Sequence, residues 1–423
     1  MGLIKSWVET ANSANAQFPL NNLPYGVFLD ADGAGSPCVA IGDMIVDLGV
    51  LEDEGVLETG SNEPVFDVPF LNEFMDLGSD AWADVRSRLM DMLKEGGDDV
   101  LSGNDNLREA AMVMQADVKM AMPFVVSEFT DFYAGRNHAT NVGTMFRGKE
   151  NALPPNWLHI PIGYNGRAST VVVSGTEFPR PNGQLKGPND ALPSFGPSKR
   201  LDIELEMGAI VGTGNEMGRP VSVAEADSMI FGYVILNDWS ARDIQAWEYQ
   251  PLGPFQAKVF ASTISPWIVT KAALEPFRTN TPKREFPLLP YLEEPGPMLY
   301  DIDLEVALAP QGKSETVISR TNYNQMYYSS AQQLAHHASG GCEMSTGDLL
   351  GSGTISGPKK DQCGALLEIT WAGAEPIELD TGETRTFLED NDTVTMRGAA
   401  KGNGYTIGFG DCTGTILPPV KFP

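Results

Sequence analysis

The segment Leu201-Asp-Ile-Glu-Leu-Glu-Met207 alternates without a break between apolar and acidic residues. A period of two belongs to a β-strand, so Leu201, Ile203, Leu205 and Met207 share one face while Asp202, Glu204 and Glu206 share the other. Neighbouring carboxylates on such a face stand about 6–7 Å apart and repel unless water or a cation intervenes. The strand is then either a solvent-facing sheet edge or one wall of a hard-cation site built from carboxylate oxygens.

Short strands are the expected element over most of the chain. Tyr25–Leu29, Cys38–Ile41 and Met44–Leu48 are separated by turns, and residues 70–95 carry helical spacing. Between Val118 and Val126 an acidic run gives way to apolar sequence, which sets a division into residues 1–123 and 124–423. Beyond it, Thr170–Ser174, Leu201–Val211, Met229–Leu236, Thr263–Val269, Ile302–Leu308, Leu366–Trp371 and Thr393–Met396 are rich in Val, Ile, Thr and aromatics and read as strands. Two helices interrupt them. One runs from Ser240, a candidate N-cap, toward Tyr249, and the other covers about Ser329–Ala338. With Gly 44 and Pro 30 punctuating 423 residues, the expected class is mostly β, of α+β type.

The formal net charge is −27, and residues 1–123 hold 22 acids against 6 bases. Nucleic acid demands a basic footprint and anionic membrane a polybasic one, so both are disfavoured as partners. No stretch approaches the ~20 apolar residues of a membrane helix. The N-terminal MGLIKSWVETANSANAQF lacks a signal peptide's apolar core. Cys38, Cys342, Cys363 and Cys412 form no CxxC pair. The expected setting is therefore the reducing cytoplasm.

Several motifs fail on inspection. Asp30-Ala-Asp32-Gly-Ala-Gly35 imitates the start of a calcium loop, but position twelve is Ile41, where a bidentate Glu is required. It reads as a turn. Gly212-Thr-Gly214-Asn-Glu-Met-Gly218 has one residue too many for a dinucleotide fingerprint and reads as a connecting loop. GxSxG, P-loop and HExxH motifs are absent. What survives is a second source of carboxylate. Asp238 follows the apolar run 229–236 where a strand gives way to a helix, a place where site residues gather. Arg242, Gln245 and Tyr249 then fall at i, i+3 and i+7, on one helical stripe. Of four histidines, His138 lies near Asp131, Tyr133 and Arg147 and is the best general base. His159 reads as packing, and His336 and His337 as structural residues of a helix.

Taken together, these phrases resemble the fumarylacetoacetase family: Asn22-Leu-Pro-Tyr-Gly-Val-Phe28, Thr130-Asp-Phe-Tyr133, His138-Ala-Thr-Asn-Val-Gly143, Met145-Phe-Arg147, Glu150-Asn-Ala-Leu-Pro, Asn237-Asp-Trp-Ser-Ala-Arg-Asp-Ile-Gln245, Trp247-Glu-Tyr249, Pro251-Leu-Gly-Pro-Phe255 and Ser352-Gly-Thr-Ile-Ser-Gly-Pro358. They occur in order from residue 22 onward. The resemblance implies a small SH3-like β domain followed by a mixed β-roll catalytic domain, acting as a homodimer. It implies hydrolysis of a carbon–carbon bond in a dianionic β-diketone, 4-fumarylacetoacetate, at the end of tyrosine and phenylalanine degradation. It also implies Ca²⁺ or Mg²⁺ on Asp131, Glu204, Glu206 and Asp238, with a second Mg²⁺ at Asp238, Lys258 and Ser262.

The same resemblance implies His138 as base, paired with Glu368, and Arg242, Gln245 and Lys258 as oxyanion donors. Tyr133, Arg147, Tyr164, Gln245, Tyr249 and Thr354 would hold substrate. Departures from the family pattern are Asn165, where His is expected after Tyr164, Ala257 in place of Gly, and Ser262 in place of Thr. The alternatives are a related acylpyruvate or diketo-acid hydrolase, or a cation-binding homologue without chemistry.

Overall fold

The structure is a computed structural model that describes residues 2–422. Its N-terminal part is built on a five-stranded antiparallel sheet ordered Met112–Met114, Met44–Asp47, Gly35–Ile41, Tyr25–Leu29 and Lys119–Met120. The calcium-like motif is the turn between the strands at 25–29 and 35–41. There the Asp30 Oδ1 accepts from the Asp32 and Ala34 backbone amides, and Gly33 takes a φ of 82°. The helical spacing at 70–95 becomes helices Asn72–Asp76 and Ser79–Leu93, parted at Gly78, whose φ of 91° no β-carbon would favour.

The remainder is organised by two sheets. A mixed eight-stranded sheet runs Gly163–Asn165, Phe129–Phe132, Leu349–Gly351, Leu205–Val211, Ile230–Asn237, Ser262–Ile264 and Val171–Val173, with Val269–Thr270 also paired to 230–237. A six-stranded sheet runs Thr316–Asn322, Asp303–Ala309, Thr393–Lys401, Cys412–Leu417 and Thr176–Pro179, with Thr406–Gly408 beside 393–401. Alternate side chains of the central strands face opposite ways. Met207, Tyr233 and Ile235 join Val306, Met396 and Ile416 of the six-stranded sheet in one core. Ile210, Val234, Leu236 and Leu349 join Tyr25, Val27 and Phe74 of the N-terminal part in another. The eight-stranded sheet is thus a covered middle layer, which is why 205–211 and 230–237 are buried along their whole length.

Some expected elements differ. The strand anticipated over 201–211 divides, because Leu201–Asp202 pairs with Ser240–Ala241 while Leu205–Val211 pairs with 230–237 and 349–351. The solvent-edge reading fails outright, since Asp202, Glu204 and Glu206 are all buried. Ser240 is not a cap. It belongs to that short pair, its hydroxyl donates to the Asp238 carbonyl, and the helix Arg242–Glu248 starts after Ala241 without a side-chain cap. Thr263–Val269 splits into Ser262–Ile264 and Val269–Thr270. Leu366–Ile369 is a short helix rather than a strand. Ser329 does cap Ser330–Ala338, through a full capping box with Gln332. A helix not anticipated, Arg136–Arg147, follows the strand 129–132. Among the described residues no helix is long and apolar enough to cross a membrane, and the four cysteines are unpaired.

Candidate active site

A cavity of about 440 Å³ opens where the central strands end. Asp131 reaches it from the strand 129–132, Glu204 from the residue before 205–211 and Glu206 from within that strand, while Asp238, the residue after 230–237, meets the lining through Lys258 and Tyr164. Asp131 and Phe129, Glu206 and Ile210, Asp238 and Leu236 share strand parity. The carboxylates therefore project from the face that farther along packs on the N-terminal part. Gly351 lies between them, in register with Asp131 on one side and Gly208 on the other. A β-carbon there would stand 2.7 Å from Asp131 Oδ1 and 2.9 Å from Glu206 Oε2, so glycine makes the space in which the carboxylates meet.

Asp131, Glu204 and Asp238 each offer an oxygen within 4.8 Å of the others. Lys258 Nζ donates to Asp238 Oδ2 at 2.7 Å and also to Glu204. Ser262 Oγ donates to Asp238 Oδ1 at 2.7 Å, and the Tyr164 hydroxyl to Asp238 Oδ2 at 3.0 Å. Glu206 Oε2 accepts from the Gly353 amide at 2.9 Å. Asp131 Oδ1 and Glu206 Oε1 are buried with no partner. Burial and the Asp238 charge push the Asp131 carboxyl up to about 8, and burial with Asp131 and Asp238 pushes Glu206 well above the usual range. Glu204 goes the other way: burial opposes its charge, but Lys258, Arg242 and His138 hold it ionised. Among the described residues, four crowded, buried carboxylates share only Lys258 and Arg242 as cations, and this surplus of oxygen ligands suits a hard divalent cation.

His138 and the groups that hold it come from distant segments. His138, in the first turn of the helix 136–147, is 3% exposed. Its Nδ1 lies 2.6 Å from Glu368 Oε2, and its Nε2 faces Glu204 Oε1 at 3.8 Å. Glu368 also accepts from Asn141 Nδ2 and Ser356 Oγ, each at 2.8 Å. Burial would raise the Glu368 carboxyl, yet His138, Asn141 and Ser356 hold it below its usual range. An ionised carboxylate only accepts, so the His138 Nδ1 carries a proton toward Glu368.

Arg242 completes the inner wall. Its Nη1 donates to Glu204 Oε1 at 2.7 Å and to Gln245 Oε1 at 3.2 Å, while Nη2 is buried without a partner. Gln245, Tyr249 and Thr354 line the same cavity, as do Tyr133, Arg147 and Tyr164. The Tyr133 ring stands edge-on to His138 at 5.6 Å. Burial raises both the Tyr133 and the Tyr164 phenol, which keeps them hydrogen-bond donors at neutral pH. Arg147 sits at the rim and donates to the Asn151 and Ala152 carbonyls. The sequence-based set is thus gathered around one cavity, with Ser262 behind Asp238. Asn141 and Ser356 were not singled out. Only Asn141 carried a signal, three residues after His138 and so on the same helical face. His159 is exposed against Phe286 rather than packed inside, and His336 and His337 pair with Tyr291 and Thr130.

Comparison with known proteins matches this arrangement to a family in two pieces. Residues 21–123 match the family described as Fumarylacetoacetase N-terminal, and residues 128–417 match Fumarylacetoacetate (FAA) hydrolase C-terminal. The chain is 49% identical over 422 residues to the fumarylacetoacetase of Arabidopsis thaliana, covering 99% of each chain. It is 48% identical over 424 residues to that of Bos taurus, covering 99% of this chain and 100% of the other. Among solved structures, the fumarylacetoacetate hydrolase of Exiguobacterium antarcticum superposes with a TM-score of 0.52 at 16% identity. That match covers 94% of this chain and 99% of the other, and at such identity it speaks for the fold alone.

Proposed function

Because this chain belongs to the fumarylacetoacetase family, we infer that it hydrolyses 4-fumarylacetoacetate to fumarate and acetoacetate, the closing step of tyrosine and phenylalanine degradation. The observation that carries the chemistry is a convergence. The His138–Glu368 pair, the unpartnered Arg242 Nη2 and the donor-starved Asp131–Glu206 carboxylates open onto one cavity.

Each requirement of the reaction has a residue. A water loses its proton to His138 Nε2 as its oxygen bonds to a carbonyl carbon, and Glu368 stabilises the imidazolium that forms. Arg242 Nη2, with Gln245 and Lys258, receives the negative oxygen of the tetrahedral intermediate. The carbon–carbon bond then breaks with its electron pair passing to the acetoacetate enolate, which takes up a proton. Arg147 and Tyr133 face the substrate carboxylates as cation and phenol, with Tyr249, Thr354 and Tyr164, whose hydroxyl is given to Asp238, closing the wall. A divalent cation, Ca²⁺ or Mg²⁺, bound by Asp131, Glu204, Glu206 and Asp238, supplies Lewis acidity toward the diketone oxygens. A second Mg²⁺ near Asp238 and Ser262 would meet Lys258 through its carbonyl, since an ammonium has no lone pair.

The finer architecture follows the same reading: an SH3-like module over 1–123, a β-roll over 124–423, and a homodimer in the cytoplasm. The exposed Phe195 and Phe422, whose rings meet at 4.7 Å, support a face that a partner would cover. Steady-state assay on 4-fumarylacetoacetate and an acylpyruvate, before and after chelation and with Ca²⁺ or Mg²⁺ restored, tests the reading. Cleavage of the acylpyruvate alone would overturn the substrate, and turnover surviving thorough chelation would overturn the cation.

A further inference from the structure

We propose that Asp202 is the positioning residue that sets Arg242 and Glu368 in one frame, a role that rests on the hydrolase reading above. Asp202 is fully buried and stands behind the cavity rather than in its lining. Its Oδ1 accepts from the Leu366 amide at 2.7 Å and the Ile203 amide at 2.8 Å. Its Oδ2 accepts from Arg242 Nε at 2.8 Å and the Leu367 amide at 3.0 Å. A carboxylate has about four lone-pair positions, so this one is saturated.

The partners give those bonds their meaning. Leu366 and Leu367 open the helix Leu366–Ile369, whose own N-cap residue, Ala365, offers no side-chain cap. Asp202 therefore caps that helix from more than a hundred residues away, and the next residue along it is Glu368. On its other side the same carboxylate grips Arg242 at Nε, while Arg242 lines the cavity and its Nη2 is left without a partner. The acid that orients the base and the cation that meets the oxyanion thus hang from one side chain. No local element fixes the spacing of residues 242 and 368, yet both must act on one carbonyl carbon. A displacement of about 1 Å can cost about 10²-fold in rate. Asparagine could not substitute, because in one orientation its amide hydrogens would face those of Arg242 Nε and the Leu367 amide, and in the other those of the Leu366 and Ile203 amides.

The test is Asp202→Asn, measured for kcat, KM and thermal unfolding. The expected result is a fall in kcat of about 10²-fold with KM within about threefold of wild type, as for loss of transition-state contacts alone. Added to Glu368→Gln, the same substitution should cost less than it does alone, because the two act through one arrangement. A purely structural role would lower the unfolding temperature and leave kcat per folded site intact, and that result overturns the proposal. Should Asp202→Asn not yield folded protein, Leu366→Pro decides. Proline is accepted at the first helical position and removes one donor to Asp202 while sparing the Arg242 bond, and Leu366→Ala, which trims the same buried side chain but keeps the amide, is the control for lost packing. The kcat of Leu366→Pro should fall about tenfold by the loss of one such bond, and a wild-type kcat would overturn the proposal. No turnover of 4-fumarylacetoacetate by the wild type would instead overturn the hydrolase reading itself, and unchanged turnover in His138→Ala would overturn His138 as the base.

Discussion

Two sets of buried carboxylates meet at this cavity and are treated in opposite ways. Glu368 takes hydrogen bonds from His138, Asn141 and Ser356 and is held ionised. Asp131 Oδ1 and Glu206 Oε1 take none, and both carboxyls are pushed up. An uncompensated buried charge is costly, so a fold does not leave two side by side without a use. The chain completes with its own donors the charge that must stay fixed beside a base. It leaves Asp131 and Glu206 each with an oxygen free for a counter-ion from outside.

Substitution should separate the two sets, and the largest effect comes from the base they flank. His138→Ala should lower kcat/KM by about 10³-fold or more, the range for loss of a general base. Glu368→Gln should lower kcat by about 10²–10³-fold, since the base loses its orienting carboxylate while the oxyanion donors remain. In both variants the protein should still gain thermal stability when Ca²⁺ or Mg²⁺ is added after chelation. Asp131→Asn should do the reverse on that readout. Wild type at a cation concentration of 100 times Kd gains about 2.7 kcal/mol, and Asp131→Asn should lose most of that gain. If Glu368→Gln abolished the cation's stabilisation and Asp131→Asn kept it, the division between the two sets would be inverted.

The legibility of these sets differs for the same physical reason. The starved set shows itself locally at Glu206, which lies in a strict alternation of apolar and acidic residues. The satisfied set is assembled over distance. Leu366 to Trp371 carries β-type composition, yet it starts as a helix because Asp202 supplies the missing cap. The helix 136–147 is rich in Asn, Thr and Gly and has weak propensity of its own. It is seated by packing so close that a β-carbon at Gly143 would lie 1.9 Å from the Ala152 carbonyl. No spacing in the chain ties Ser356 to Glu368, since that contact exists only once the sheets are closed. Periodicity shows which side chains share a face, but not which distant donor completes a charge.

Asp348 gives the comparison its subtlest test, because it is starved without a cation cluster around it. It is 5% exposed, its Oδ2 accepts from the Ser345 amide at 2.8 Å, and its Oδ1 has no partner. Burial, with the charge of Glu128 adding to it, pushes its carboxyl up to about 6. The unfolded chain ionises this group near the ordinary value of about 3.9. The native state therefore holds the proton more tightly, so ionisation weakens folding above about pH 6 and the penalty fades as pH falls toward 4. Asp348→Asn removes the charge, and its amide oxygen can still accept from Ser345. Denaturant unfolding at pH 7.5 should find the variant more stable than wild type by on the order of 1 kcal/mol. The gap should narrow at pH 5 as wild type takes up its proton. A gap that did not change with pH would show Asp348 to be a satisfied carboxylate after all, and would confine the starved class to the cavity.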